Sequence, residues 1–232
     1  MTHDFDDHDG ETWSILFDQQ MRIWPGRCCP EYLEAVGQMG LRADVVPSLD
    51  ELEQRLAAST GWRFVDVAGS LSSVDFFGLV ATRRFPMSMT MRPRAELVHA
   101  KVPDYFHDVI GHVPLLSHEL YSEYLVGVSR IACRHLDEPD VIHRLSRAIA
   151  WAIEYGLMGT IEAPLAYGAG LMSSYEELHH VHSDRPRRMP FDPALVLETS
   201  HTPASLQERY FVVNSFEALA ASVAEIDRLA DA

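Results

Sequence analysis

Apolar residues recur at helical spacing along most of the chain. The apolar stripe from Leu120 to Ile131 predicts a long helix, and Ser48, three residues before Glu51, forms a capping box that opens another. Proline and asparagine mark further starts at Pro103, at position 139 and at position 214. Together these patterns predict helices over residues 48–59, 103–112, 117–136, 139–153 and 214–229.

Strand patterns are few and short. β-branched and aromatic residues predict strands over residues 64–67, 82–85, 195–198 and 210–213. Because helices dominate and do not alternate regularly with strands, the predicted fold class is α+β, mainly α-helical, with a few short strands. Residues 1–11 are acidic and aperiodic, and we expect a flexible tail there. No repeat or linker follows, so residues 12–232 are predicted to form a single domain.

Composition and charge narrow the classes of partner. The 232 residues include 34 acidic and 19 basic side chains, which gives a net charge of −15. Phosphate binding needs a basic surface, so we expect neither nucleic acid nor an anionic membrane as a partner. No apolar stretch is long enough to span a bilayer, and the first residues lack a signal-peptide pattern. Three cysteines without a pairing pattern favour a cytoplasmic protein.

One segment, VPDYFHDVIGHVPLL at residues 102–116, places His107 and His112 five residues apart. On an ideal α-helix this spacing separates the side chains by about 140°. The motif is therefore not the H-E-x-x-H pattern of zinc proteases. Both rings could reach one ion only if the helix loosens near Gly111. The alternative is a pair of helix histidines, one buried and one exposed.

A single acid, Glu154, stands in an apolar helical stretch. Acids are rarely buried unless they are paired or bound to a metal. An ion pair with Arg144 or Arg147 is the alternative to a ligand role. Two histidines and one carboxylate make the facial triad of mononuclear non-haem iron(II) enzymes, which leaves open positions for dioxygen. A structural zinc site would instead need four protein ligands, usually including cysteine.

Six blocks of the chain carry a distinctive pattern, namely VAGSLSSVDFFG (67–78), MRPR (91–94), VPDYFHDVIGHVPLL (102–116), IEYGL (153–157), AYGAGLMSSYEEL (166–178) and LQERYFVVNSFE (206–217). In these blocks the chain resembles the pterin-dependent aromatic amino acid hydroxylases, the family of phenylalanine, tyrosine and tryptophan hydroxylases, in the form of a minimal bacterial catalytic core. The blocks occur in consistent order from about residue 63 to the C-terminus, whereas the first 60 residues show no match.

The resemblance implies a monooxygenase that uses Fe(II), tetrahydropterin and O₂ to hydroxylate the ring of a free aromatic amino acid. It implies that His107, His112 and Glu154 bind the iron. The pterin site implied by the first block comprises Val67, Gly69, Leu71, Ser73 and Phe76, with Phe76 stacking on the pterin. Asp108 stands where the family usually has Glu, so its pterin contact would be made through a water molecule.

The resemblance also implies a substrate site. Arg92 would bind the substrate carboxylate through two parallel hydrogen bonds, and Ser173 would hydrogen-bond a ligating histidine. Alternatively, Ser173 is a helix N-cap, since it stands three residues before Glu176. The other residues implied to lie near the substrate are Ala150, Tyr155, Gly170 and Ser174.

The chain departs from the family at the substrate pocket. Ile149 and Ala150 replace the usual tyrosine and tryptophan, and Trp151 follows one step later. A methyl group in place of an indole would enlarge the pocket unless Trp151 fills the gap. Phenylalanine is the default substrate, with tryptophan and tyrosine as alternatives. The chain has no room for the regulatory and tetramerisation segments of the animal enzymes, so we expect a monomer or a small homo-oligomer.

Two other functions compete with this one. A family member that binds metal or pterin without catalysis would also explain the departures at Asp108 and Ala150. A 2-oxoglutarate oxygenase is disfavoured, since those enzymes usually carry an H-x-D…H ligand set on β-strands.

Overall fold

The computed structural model describes residues 5–67, 69, 71–97, 102–202 and 205–232. Helices dominate these ranges and the strands are short, which confirms the predicted α+β class. None of the described helices combines the length and the apolar character that crossing a membrane requires. The α-helices are Asp7–Ile23 (α1), Pro30–Gln38 (α2), Leu49–Ala57 (α3), Ser73–Val80 (α4), Val113–Leu116 (α5), Glu119–Ala132 (α6), Pro139–Ile149 (α7), Ala169–Met172 (α8), Tyr175–Val181 (α9), Pro193–Glu198 (α10), Phe216–Ala221 (α11) and Val223–Ala230 (α12).

The strands form two small sheets. Their bounds are Arg63–Val67 (β1), Arg84–Ser88 (β2), Leu157–Gly159 (β3), Pro164–Ala166 (β4), Arg187–Pro190 (β5) and Arg209–Val213 (β6). β1 and β2 form a parallel pair, and the other four strands lie in the order β4-β3-β6-β5. In that sheet β3 and β4 are antiparallel, whereas β6 is parallel to both β3 and β5. The predicted strands at 64–67 and 210–213 lie inside β1 and β6.

One hydrophobic core includes residues from both ends of the chain. Trp13 and Trp24, which belong to the first 60 residues, are fully buried. The Trp24 indole N–H donates to the carbonyl oxygen of Met172 at 3.3 Å. The N-terminal segment is therefore part of the same core as the later blocks, although it carries no recognisable motif.

The tail expected over residues 1–11 needs a correction. Residues 1–4 lie outside the described residues, but α1 already begins at Asp7. The carboxylate of Asp6 accepts the backbone N–H of Asp9, and the Asp9 carboxylate accepts the N–H of Asp6. This reciprocal capping box satisfies two backbone donors of the first turn. Composition alone could not separate such an acidic cap from an acidic tail.

Of the predicted helix caps, Ser48 is confirmed and Asn214 is wrong. Ser48 caps α3, as its capping box indicates. The predicted strand at 195–198 is wrong, because Asp192 caps this segment and a proline at the first position opens α10. The last helix is capped by Ser215 instead of Asn214, and it is divided at Ser222 into α11 and α12.

The segment His107–His112 is a π-helix. Its hydrogen bonds span five residues instead of four, as in the bond from the Val113 N–H to the carbonyl oxygen of Asp108. A physical cause lies at Pro114, which has no N–H to donate to the carbonyl of Ile110, four residues earlier. The Tyr32 hydroxyl donates to that carbonyl instead, at 2.7 Å. The loosening required for two histidines five residues apart is thus present.

A second π-helix, Ala150–Glu154, continues directly from α7. Here the N–H of Tyr155 donates to the carbonyl oxygen of Ala150 at 2.9 Å. The predicted helix over 139–153 is therefore present, but its last turn is wider than an α-helix. Such turns are rare and occur often at functional sites.

Close packing holds the first π-helix against α8. A Cβ atom added to Gly111 would lie 2.8 Å from both the Cβ and the carbonyl oxygen of Ala169. We predict that Gly111→Ala destabilises the fold by about 1–3 kcal/mol through overpacking. Urea unfolding, compared at the transition midpoint, measures the effect.

Gly37→Ala is the matched control, because Gly37 lies in α2 with no atom within 4 Å of an added Cβ. That change should be neutral or stabilise the protein by about 0.5–1 kcal/mol. Equal midpoints for the two variants would contradict the packing argument.

Candidate active site

The two π-helices bring His107, His112 and Glu154 together. The Nε2 atom of His112 lies 3.1 Å from Oε1 of Glu154, and Nε2 of His107 lies 3.6 Å from Oε2. The two imidazole rings are 5.1 Å apart and nearly perpendicular. Glu154 makes neither of the ion pairs with Arg144 or Arg147 that were the alternative; Arg144 binds Glu198 instead. Two imidazole nitrogens and one carboxylate therefore face a common point.

Ser173 fixes the orientation of His107. Its hydroxyl donates to the carbonyl oxygen of Ala169 at 2.8 Å and lies 2.8 Å from Nδ1 of His107. Since the hydroxyl has a single proton, it accepts the hydrogen bond from Nδ1–H. The proton on Nδ1 leaves the Nε2 lone pair free to bind a metal. The capping function that Ser173 could have served belongs to Ser174, which accepts the N–H of Glu177.

The ionisation states suit a divalent cation. Burial lowers the pKa of His107 to about 4, which keeps its imidazole neutral near pH 7. Burial alone would raise the pKa of Glu154, but the neighbouring His112 and His107 outweigh it and lower the pKa to about 2. A neutral imidazole and an ionised carboxylate are the forms that bind a metal.

A second carboxylate borders the same site. Asp108 is buried, and its ligating atoms lie within 4.8 Å of those of His107 and His112. Its Oδ2 atom accepts the backbone N–H of Ser88, at the end of β2, at 2.7 Å. Burial raises the pKa of Asp108 to about 7. The structure thus places Asp108 beside the triad, with one oxygen already held by the backbone.

Arg92 lies close to the histidines but is held by Asp104. The Nε and Nη2 atoms of Arg92 donate to the two oxygens of Asp104 at 2.8 and 2.7 Å, and both residues are buried. Asp104 also accepts the N–H of His107 at 3.0 Å, so it caps the histidine helix as its position after Pro103 suggests. The Nη1 atom of Arg92 has no partner among the described residues and remains a donor for an anion.

The block expected to bind pterin lies on the His112 side of the site. Gly69 has a φ of +83°, which glycine adopts without strain, and no atom lies within 4 Å of an added Cβ. Phe76 packs against Phe85, which in turn lies 4.8 Å from the His112 ring. Ala68 and Ser70 lie outside the described residues. The remaining members of the block are Val67 at the end of β1, the exposed Leu71 and the exposed Ser73 at the start of α4.

Two of the residues expected near the substrate, Tyr155 and Gly170, lie on the Glu154 side. A Cβ added to Gly170 would lie 3.1 Å from the carbonyl oxygen of Glu154 and 3.3 Å from a ring carbon of Tyr155. The absence of a side chain at Gly170 therefore lets α8 approach the second π-helix closely. Ala150 is buried, and only 3% of its surface is exposed.

His201 is a site residue that the sequence reasoning missed. Its ring lies 6.4 Å from Tyr155 and 6.1 Å from Trp151. The Trp151 indole does not turn toward His107, His112 and Glu154, since it is buried and donates to the carbonyl oxygen of Thr199 at 2.7 Å. Trp151 instead supports the loop that carries His201. Only the tertiary structure brings this loop to Tyr155, and no local pattern marks it.

Comparisons with known proteins identify the family of the chain. A family model described as biopterin-dependent aromatic amino acid hydroxylase matches residues 2–228. The phenylalanine-4-hydroxylase of Chromobacterium violaceum is 35% identical over 214 residues, covering 91% of this chain and 71% of the relative. That of Ralstonia nicotianae is 36% identical over 220 residues, covering 94% of this chain and 69% of the relative.

A solved structure of the Chromobacterium violaceum enzyme has the same fold. It contains iron(III) and the oxidised cofactor 7,8-dihydrobiopterin, and it superposes with a TM-score of 0.90 at 34% identity. The match covers 98% of this chain and 84% of that one.

The bond between Ser173 and His107 gives a testable prediction. Ser173→Ala removes the acceptor that holds the Nδ1 proton, and we expect the affinity for Fe(II) to fall about 10–100-fold. Anaerobic titration with Fe(II) measures this change.

Ser174→Ala is the matched control one residue away. It should cost about 1 kcal/mol of stability, because it removes the cap of α9. The affinity for Fe(II) should stay unchanged in this variant. A similar affinity loss in both variants would show that the effect is general to the segment.

Proposed function

The chain belongs to the biopterin-dependent aromatic amino acid hydroxylases, and we propose that it hydroxylates the ring of a free aromatic amino acid with Fe(II), tetrahydropterin and O₂. The observation that carries the proposal is the buried convergence of His107, His112 and Glu154. A protein that merely retained the fold would have no need to keep two imidazoles and an ionised carboxylate facing one point.

In this proposal His107, His112 and Glu154 hold the iron. The donor set fits, since two nitrogens and one carboxylate leave open positions for oxygen chemistry. When bound, iron(II) and tetrahydropterin supply the activation of dioxygen. The chain contributes orientation: Ser173 holds the proton on Nδ1 of His107, and Asp104 accepts the N–H of the same residue. The buried walls contribute by excluding water from the reaction.

The proposed pterin site lies between α4 and the end of β2. Phe76 would provide the stacking ring, and the open space beside Gly69 would admit the cofactor close to the backbone. Asp108 would face the cofactor with its free oxygen, since Ser88 holds the other one. The other contacts proposed for this site are Val67, Leu71 and Ser73.

The proposed amino acid site lies on the opposite side of the iron ligands. The free Nη1 of Arg92 would bind the substrate carboxylate, while Asp104 keeps the guanidinium plane fixed. Tyr155 and His201 would form a wall of the ring pocket, with Ala150, Gly170 and Ser174 around it. We propose phenylalanine as the substrate, in line with the names of the bacterial relatives, with tryptophan and tyrosine as the alternatives to test.

A cytoplasmic location and a monomeric or small homo-oligomeric state complete the proposal. Light scattering during size-exclusion chromatography measures the oligomeric state directly.

The central test is loss of the ligands. His107→Ala and Glu154→Ala should each abolish Fe(II) binding and reduce product formation to background, because each removes one of three ligands. The measurement is aerobic turnover with Fe(II), tetrahydropterin and each of the three aromatic amino acids. Mass spectrometry and NMR then identify the product and the ring position.

His143→Ala is the control, since His143 is exposed on α7. It should retain full turnover. Pterin-dependent product from either ligand variant would refute the triad, and the absence of product from the unmodified protein would favour a non-catalytic binder.

The proposed function of Arg92 depends on its planar guanidinium group, whose N–H donors can bind Asp104 and a second carboxylate at the same time. Arg92→Lys keeps the charge but cannot bind Asp104 and a carboxylate in the same geometry. We expect KM for the amino acid to rise about tenfold or more, which corresponds to about 1.4 kcal/mol of lost binding. Steady-state kinetics at saturating pterin measure this change.

Arg94→Lys is the matched control, because Arg94 is an exposed residue paired with Glu11. Its KM should match that of the unmodified protein. Equal KM values in both variants would remove Arg92 from the substrate site.

A further inference from the structure

A surface cavity of about 500 Å³ lies beside β5 and β6. Three arginines line it, namely Arg185, Arg187 and Arg209, together with His180. Glu208 is the one acidic residue in its lining. The volume is in the range of small-molecule sites, about 300–1,000 Å³.

This cluster of positive side chains contrasts with the net negative charge of the whole chain. The net charge is −15, with 34 acidic side chains available as partners. Nevertheless, the three guanidinium groups form no side-chain hydrogen bond or ion pair within the described ranges. The adjacent Arg188 differs, since its guanidinium donates to the backbone carbonyls of Val181 and Ser183. Arg188 thus has a structural function, whereas its neighbours face the cavity without one.

The strand register places two of these charges side by side. Arg187 on β5 pairs directly with Arg209 on β6 in the parallel ladder. Like charges directly opposite each other destabilise a sheet. A charged residue on an edge strand protects it from aggregation, and this explains Arg187 on β5. Arg209 is the exposed first residue of β6, which pairs with β3 only at Val212 and Val213, so its side chain can face the cavity together with that of Arg187.

A second pair of arginines that face each other across neighbouring strands shows how the protein compensates the repulsion elsewhere. Arg63 pairs directly with Arg84 between β1 and β2. There Glu53 neutralises Arg63 at 2.6 Å. Within the part of the chain that the structure describes, no carboxylate pairs with Arg187 or Arg209, so an external anion would fill the corresponding place.

The cavity is connected to the candidate active site through Gln207. The Gln207 side chain accepts the N–H of Thr202 and donates to the carbonyls of Thr202 and Ser205. Its own backbone carbonyl accepts from Nε2 of His180 in the cavity wall. One residue therefore links the cavity to the loop on which His201 lies.

We propose that this cavity binds a small oxyanion with two negative charges, held by Arg185, Arg187 and Arg209. The planar guanidinium fork matches phosphate and carboxylate oxygens equally well, so both chemistries qualify. The bound anion would relieve the repulsion between Arg187 and Arg209 and stabilise the adjacent loop. The binding step is independent of the proposed hydroxylase function.

Isothermal titration calorimetry of the iron-loaded protein tests this proposal. The probes are glycerol 2-phosphate, a phosphate monoester, and succinate, a dicarboxylate, at ionic strength matched with sodium chloride. We expect saturable binding of at least one probe. Tighter binding of the first probe identifies a phosphate ligand, and tighter binding of succinate identifies a dicarboxylate. No saturable heat with either probe would overturn the proposal.

Paired variants locate the site. Arg187→Gln with Arg209→Gln should weaken binding about tenfold or more, because two charge-assisted contacts are lost. Arg63→Gln with Arg84→Gln changes the net charge equally at an equivalent strand register, and should leave the affinity unchanged. Equal weakening in both pairs would indicate a general charge effect and overturn the site. Melting curves without anion verify that both variants fold.

Discussion

A backbone hydrogen bond that spans one residue more than in an α-helix occurs in each segment that carries a proposed iron ligand. In the first segment the bond from Val113 to Asp108 widens the turn that holds His107 and His112. In the second, the bond from Tyr155 to Ala150 widens the turn that ends at Glu154. Residues five apart then lie one turn above each other, so both imidazoles face the same side. Without the widened turn the two rings would diverge by about 140°.

Distant segments keep these turns in place. Pro114 removes one α-helical donor, and the hydroxyl of Tyr32, from the N-terminal region, bonds the carbonyl of Ile110 that this leaves free. On the other side α8 packs against Gly111 and provides the Ala169 carbonyl that binds Ser173. The first 60 residues, in which no motif was recognised but which the family model also matches, are therefore part of the support of the site.

The charged side chains around the histidines are paired by the same packing. Asp104 connects Arg92 to His107, because it pairs with the guanidinium of Arg92 and accepts the N–H of His107. Breaking such a buried pair is costly, about 3–5 kcal/mol, since one charge is left uncompensated. The net negative charge of the chain therefore says nothing about the site, because each buried carboxylate there has an identified partner. The basic cavity at Arg187 and Arg209 is the exception to this pairing.

Local sequence determined the starts of helices and the identity of the chemical groups. Ser48 caps its helix because a cap needs only residues three apart. The blocks around His107, Glu154 and Ser173 were recognisable by their resemblance to a known family. The flexible tail predicted over residues 1–11 was wrong from Asp6 onward, and so was the strand predicted over residues 195–198. Short polar or apolar runs fit more than one structure, so sequence alone could not decide these two segments. Only the tertiary structure decided that His201 lies beside Tyr155, that Asp104 holds Arg92, and that Arg187 faces Arg209. These contacts join residues on different elements, and their distances depend on how those elements pack, which no periodicity along the chain encodes.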